Sequence, residues 1–450
     1  MSFKFQWNAY ADQPHNVAIR KDRLRHHFKH AGTYVGLLLS NTRKLIPILL
    51  RYRQYRKKMY QEQVEIGSPF ALSVSPAGER NEEVLELLKE IGIRRSLVRI
   101  PSWEKDKLSI YEEFSRLLHN NNIEHTAALL QRRDDVFDPS GWLHFLEEVF
   151  SRLKKTASFF EIGHAWNRTK WGVWDYKEYL KLALPAVSLA EKYGVKLVGP
   201  AVIDFEFHLY PPVMGVIPFE KISSLLYVDR MGAPENSQFG WDTSRKVALL
   251  KAVIDSCNKR ERELWITEVN WPLKGTGKYS PASGKPNVSE EEQADYLVRY
   301  YIICLASGFI DRIYWWQLVA PGYGLVDSRE KKWRKRPGFY AKKTMVSLLE
   351  ESTFTGKIPH PQAMIFLFHR GRERFAVCWT NQKNGENRKE KISFKSGSER
   401  EYRTVPITVP ITDKFCSRRI IRVVNRDGKE IPFQHDRIEI NGSPKYIFLE

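Results

Sequence analysis

The chain has 450 residues, 42% of them apolar, which allows two or three domains and a sizeable core. Four scattered cysteines, Cys257, Cys304, Cys378 and Cys416, form no CxxC pair, so neither a disulfide framework nor a cysteine metal site is expected, as in a reducing compartment. The net charge of +19 lies at the ends: residues 1–65 carry 13 Lys and Arg against 4 Asp and Glu, residues 356–450 carry 19 against 11, and the middle keeps +2. That argues against a central nucleic-acid groove and for docking of the ends on something anionic.

Residues 1–65 read as a basic helical extension, with clusters at Arg20-Lys21-Asp22-Arg23 and Arg51-Tyr52-Arg53. Two apolar runs, Tyr34 to Leu39 and Leu45 to Leu50, are split by Arg43-Lys44, and neither reaches the ~20 residues of a membrane span. Two readings stay open. One is peripheral contact with an anionic membrane or glycan. The other is a solvated helix packed on the next domain. Met1 to Trp7 lacks the apolar core of a secretion signal, so the expected location is cytoplasmic, peripheral to the inner face of the membrane under the first reading.

From Ser68 strands alternate with helices. Strands are expected at Phe70–Val74, Ser96–Pro101, His125–Gln131, Phe159–Gly163, Lys196–Ile203, Tyr227–Met231, Leu264–Val269 and Asp311–Leu318. Between them run helices such as Glu82–Ile91, closed by Gly92, and one N-capped by Asp175. Eight such units over residues 66–355 have the size of a (β/α)₈ TIM barrel. After about Glu350 short strands return, among them Ala363–His369, Arg374–Trp379, Lys391–Phe394, Arg419–Val424 and Lys445–Leu449, with hairpin turns expected at Asp427-Gly428 and Asn441-Gly442. The expected architecture is α/β: a basic helical extension (1–65), a TIM barrel (66–355) and a C-terminal antiparallel β-sandwich (356–450).

The seventh strand, Leu264-Trp265-Ile266-Thr267-Glu268-Val269, ends in a carboxylate, as a barrel strand does at its active-site rim. Simple alternation puts Leu264, Ile266 and Glu268 on one face and Trp265 and Thr267 on the other. The plain alternative is a core strand whose Glu pairs with a buried Arg.

Four places together resemble the retaining glycoside hydrolases of the large eight-fold-barrel clan, in particular family 39 and its xylosidase-like relatives. They are Ile266-Thr267-Glu268-Val269-Asn270-Trp271, Val98-Arg99-Ile100-Pro101, Tyr314-Trp315-Trp316-Gln317 and the tail from Arg426-Asp427-Gly428. The resemblance implies that Glu268 is the nucleophile, Arg99 its partner and Trp316 a floor for the sugar. It fails on strand four. The family pattern there is Glu-Ile-Gly-Asn-Glu-Pro-Asn, whose second Glu is the general acid/base. This chain has Glu161-Ile162-Gly163-His164-Ala165-Trp166-Asn167, so Ala165 takes the acid's place.

Retaining hydrolysis needs a second carboxyl about 5–5.5 Å from the first. Three ways round the loss are open: Glu206 or Asp204 after strand five, His164 beside the lost position, or an acid carried by the substrate. The loop Trp166–Trp174 packs three Trp with Arg168 and Lys170, which suits either an anionic sugar or a loop whose rings pack on the barrel. Further sugar-binding candidates are Gln131, Asn167, Trp171, Asn236, Asn270, Trp271 and Tyr323, the last on a glycine-rich loop after strand eight. His26-His27-His30 lies among cations, which disfavours a metal; no P-loop is seen, and no cofactor is expected. The expected partner is a carbohydrate, and no nucleic acid. The expected function is cleavage of O-glycosidic bonds in a glycan, anionic and of bacterial-surface type. The alternative is a carbohydrate-binding or polysaccharide-assembly protein that has lost its acid.

Overall fold

A computed structural model describes residues 5–15, 20–228, 232–258, 260–281, 287–380, 407–410, 419–433 and 437–450. Eight parallel strands close into a barrel: β1 (Phe70–Val74), β2 (Arg95–Pro101), β3 (Glu124–Leu130), β4 (Phe159–Ile162), β5 (Leu197–Ile203), β6 (Lys221–Leu225), β7 (Leu264–Val269) and β8 (Arg312–Trp315). β8 pairs with β1 to shut the ring, with Ile313 opposite Phe70. Interior side chains such as Ala71, Leu97, Ala128, Trp265 and Tyr314 form one core. The outward ones, Leu72, Val98, Leu129, Phe160 and Ile266, join the helices in a second, larger core. That division is the period-two pattern of strands covered on both faces.

The helix ends follow local chemistry. Asp175 caps Tyr176–Tyr193 by accepting from the amides of Lys177 and Glu178 at 2.8 and 3.0 Å. Gly92 ends Asn81–Ile91 at φ 87°, a left-handed conformation that only glycine adopts without strain.

Two expectations are corrected, and a third falls outside the described residues. The sixth strand is Lys221–Leu225, not Tyr227–Met231, and residues 229–231 lie outside the described residues. Its polar Ser223-Ser224 pair masks it in sequence; both residues are buried, and the Ser223 hydroxyl accepts the Ala201 amide at 3.1 Å. Asn441-Gly442 does not close a hairpin. It carries the chain from Arg437–Ile440, which pairs with Ile407–Pro410, to Lys445–Leu449 in the other sheet. The expected strand Lys391–Phe394 lies outside the described residues.

The C-terminal sheet is six-stranded and antiparallel, ordered Ile420–Asn425, Lys445–Leu449, Glu373–Thr380, Ala363–Arg370, Thr353–Ile358 and Val64–Glu65. The last strand comes from just before the barrel, so the sheet begins at Thr353 and borrows two residues from the N-terminal extension. One face packs on the barrel through Phe354, Phe366, Phe375, Trp379 and Phe448. The other packs under the ladder containing Ile438 and Ile440, completing a sandwich. A buried ion pair between Arg299 and Glu235 pins the junction, and Trp379 Nε1 donates to the same carboxylate at 2.6 Å.

The N-terminal extension holds a helix at Arg20–Lys29 and a long one at Ala31–Lys58, which packs on the barrel helices Tyr210–Met214 and Thr243–Cys257. Asn41 donates to the His208 carbonyl at 2.8 Å and Tyr55 to Asp255 at 2.6 Å. Ahead of the helices, Trp7–Asn8 and Gln13–Pro14 pair antiparallel. That hairpin was not expected. Asn8 Oδ1 accepts the amides of Tyr10 and Ala11, and Asp12 turns at φ 51°, a conformation Asp tolerates.

Candidate active site

The β7 register slips against β8 between Ile266 and Val269. The bulge overrides alternation: Trp265 is interior, Leu264, Ile266 and Val269 face the helices, and Glu268 is re-aimed into the barrel mouth. Bulges beside active sites commonly re-aim a side chain in this way. Had the strand stayed regular, the carboxylate would point at the helix layer.

In the mouth Glu268 meets three groups. Arg99 Nη2 donates to Oε2 in a buried ion pair, and the Tyr227 hydroxyl donates to Oε1 at 2.5 Å. His164 Nε2 lies 3.3 Å from Oε2. Burial raises the Glu268 carboxyl pKa, but Arg99 and the hydrogen bonds outweigh it and hold the group at about 2. His164 is pushed down to about 4, by burial first and by Arg99 second, so its ring is neutral at pH 7. Its Nε2 is 2.9 Å from Arg99 Nη2. A guanidinium can only donate, so Nε2 accepts and the ring proton sits on Nδ1. Arg99 is also stacked on Trp316, with its guanidinium carbon 3.3 Å from the ring centroid.

The other expected residues divide. Trp171 packs edge-on to His164 at 4.7 Å, and Trp316 stacks on Tyr323 at 6.2 Å, so all three aromatics belong to the mouth. Gln131 is fully buried and clamps the β4 exit: its oxygen accepts the His164 amide at 2.8 Å, and its amide donates to the carbonyls of His164 and Trp171. Asn270 donates to the Trp316 carbonyl at 2.7 Å. Both are positioning residues, because their amides are spent on backbone. Trp271 faces away, packed on Tyr300 and Trp315 in the outer core, with Nε1 donating to the Gly232 carbonyl. Asn236 closes a turn onto Ala233, outside the cluster.

Glu206 and Asp204 do not join Glu268. Both pair with Arg168, and Glu206 also accepts from Asn167 at 2.9 Å, a rim ion-pair network. Asn167, Arg168 and Lys170 instead line a cavity of about 480 Å³ facing Tyr34 and His208, between the N-terminal helices and the β4 loop. Lys170 reaches Gln13 of the hairpin at 2.5 Å. Ala165 is fully buried at φ 42° beside the barrel interior and brings no proton. His26, His30 and Asp175 come within 4.8 Å of one another, with His26 Nε2 2.8 Å from the Asp175 carboxylate that caps the helix.

Three participants escaped the sequence. Tyr227 lay in a stretch read as strand. Glu161, read as plain strand, points into the barrel beneath the mouth; burial pushes it up to about 7, and its Oε1 has no hydrogen-bond partner among the described residues. Asp12, 87 positions before Arg99, reaches the Arg99 Nη1 at 3.5 Å.

The barrel closed by β8 and β1, with an acid bulged into its mouth at β7, is a TIM barrel carrying a β-sandwich. Among solved structures the chain is similar to a family 39 glycoside hydrolase from the gut symbiont Bacteroides cellulosilyticus WH2, at TM-score 0.62 and 15% identity over 85% of this chain and 81% of that one. It is also similar to the GH51 arabinofuranosidase from Xanthomonas axonopodis pv. citri, at TM-score 0.54 and 11% identity over 87% and 97%. No family model and no curated protein matches the sequence. At these identities the likeness establishes the fold.

Proposed function

We propose that the protein is a glycosidase that cleaves O-glycosidic bonds of a glycan by a retaining route, with Glu268 as nucleophile. The observation that carries this reading is the environment of that carboxylate. It is bulged into the mouth, kept ionised by Arg99 and oriented by Tyr227, as an attacking group must be at neutral pH. In the first step a Glu268 oxygen bonds to the anomeric carbon as the glycosidic bond breaks. Trp171, Trp316 and Tyr323 would offer ring faces to the sugar, and the basic ends of the chain favour an anionic glycan. The test is turnover of a panel of 2,4-dinitrophenyl glycosides (xyloside, arabinofuranoside, glucoside). Glu268→Gln is expected to remove activity while preserving the fold by circular dichroism; full activity in that variant overturns the assignment.

The rival reading, a non-catalytic carbohydrate binder, is favoured by Ala165 at the acid's position. It predicts no turnover across that panel.

A second proposal concerns location. The outer face of Ala31–Lys58 leaves Val35, Leu38, Leu45, Ile46 and Leu50 half or more exposed, flanked by Arg43, Arg51 and Arg53. An apolar stripe between cations suits the interface of an anionic bilayer, which would place the protein on the inner face of a membrane. Replacing Leu38, Leu45, Ile46 and Leu50 by Ser is expected to abolish sedimentation with phosphatidylglycerol vesicles. Unchanged sedimentation removes this idea.

A further inference from the structure

The barrel mouth is closed. Arg99, His164, Glu268, Trp316 and Tyr323 are each 8% exposed or less, although this is where a sugar would have to bind. Part of what covers them is the hairpin of residues 5–15. Trp7 packs on Trp103 and Trp171 at 4.9 and 6.0 Å, Tyr10 lies against Tyr279, and Gln13 bridges Lys170 and the Pro281 carbonyl. The hairpin thus touches the loops after β2, β4 and β7, and stands over the centre of the ring. Its attachment is a handful of ring contacts and polar bridges at the rim, which a ligand can displace.

At the tip of the hairpin is the carboxyl that strand four lacks. Asp12 Oδ2 lies 3.5 Å from Arg99 Nη1, while Glu268 is bound to Nη2 of the same guanidinium. The two carboxyls thus share one guanidinium, one at each terminal nitrogen. The Asp12 side chain keeps about a third of its surface in solvent, whereas Glu268 is buried. One is therefore placed to exchange protons with water and the other is not. The charged and titratable groups around Asp12 are Arg99, Glu268, Glu104, Tyr111 and Tyr323. Partial burial is the largest influence on its carboxyl, and the two neighbouring acids add to it. Together they outweigh Arg99 and raise the pKa above the ordinary Asp value, the direction a proton donor needs.

We propose that residues 5–15 are a lid that opens to admit the glycan and, on closing, delivers Asp12 as the general acid/base missing from strand four. The proposal rests on Glu268 being the nucleophile. In the first step Asp12 gives its proton to the leaving oxygen while the C1–O bond breaks and a Glu268 oxygen bonds to C1. In the second, the Asp12 carboxylate takes a proton from water, the water oxygen bonds to C1, and the Glu268 ester bond breaks. Proton and electron pairs return to their starting places.

The experiment uses the full chain and two leaving groups. Asp12→Asn is expected to lower kcat/KM for methyl glycosides by about 10²–10⁴-fold. For 2,4-dinitrophenyl glycosides, whose aglycone departs unaided, the loss in kcat/KM should be small. Added azide should then restore kcat and yield a glycosyl azide of retained configuration, since an anion needs no general base. Asp12→Glu should recover part of the rate. Deleting residues 5–15 should reproduce the Asp12→Asn pattern. Wild-type rates on both substrate types in Asp12→Asn would overturn the proposal, and so would a deletion that speeds methyl glycoside turnover, which makes the hairpin a plug. If Glu268→Gln stays active, or no glycoside in the panel is turned over, the glycosidase reading itself falls; a silent Asp12→Asn with a dead Glu268→Gln sinks only the role of Asp12.

Discussion

Replacing Arg99 by Met tests the electrostatic argument directly. In the folded protein Glu268 titrates at about 2, against an ordinary carboxylate value of 4.5. Its pKa is depressed by folding, so it contributes stability fully above pH 4.5, and that contribution disappears as pH falls from 4.5 through about 2. At about 1.36 kcal/mol per pH unit, the contribution is about 3 kcal/mol. Without Arg99, burial is opposed by the Tyr227 bond and by His164, whose Nε2, 3.3 Å from Oε2, is then free to donate. Glu161, in the same barrel and without such an ion pair, is raised to about 7, by burial first and by the nearby Glu268 charge as well. Arg99→Met should therefore lift the acidic limb of the kcat/KM profile from below pH 3 into the range about 5–7, because the nucleophile becomes protonated there. It should also cost about 3–5 kcal/mol in urea unfolding at pH 7, as the buried carboxylate loses its partner. Arg99→Lys keeps a charge and should shift the limb less. An acidic limb in Arg99→Met that superimposes on wild type would show that Arg99 does not keep Glu268 ionised.

Tyr227→Phe removes a donor to an ionised group, a bond of about 1.5–3 kcal/mol, so kcat/KM is expected to fall about 10–100-fold with the fold intact. Unchanged kinetics would show that Tyr227 does not orient the nucleophile. At the barrel–sandwich junction, Glu235→Gln strands Arg299, which is 1% exposed, and should destabilise the protein by about 3–5 kcal/mol in urea unfolding. The double variant Glu235→Gln with Arg299→Met should recover much of that loss, and a double variant no more stable than the single would contradict the pairing.

Much of the barrel could be read from local pattern. Strands β1 to β5 are legible as short, largely apolar runs because both of their faces are covered. Asp175 and Gly92 mark helix ends because unsatisfied amides and carbonyls require those residue types. Glu268 was visible as a carboxylate ending a buried strand, and Arg99 as a cation within one. Strand β6 was not, because its interior position is filled by serine rather than an apolar side chain.

Tertiary structure decided the rest. Which way Glu268 points depends on a one-residue slip between neighbouring strands, and alternation within β7 gives the opposite face. Trp271 and Gln131 have the composition of sugar binders, yet packing turns one into the helix layer and spends the other on backbone. The pairing of Arg168 with Asp204 and Glu206, and the arrival of Asp12 over Arg99, join residues 36 to 87 positions apart. A residue's own neighbours in sequence encode whether it is buried and in what kind of element. They carry no record of which distant side chain will share its pocket, because that is set only when whole elements pack and the chain closes on itself.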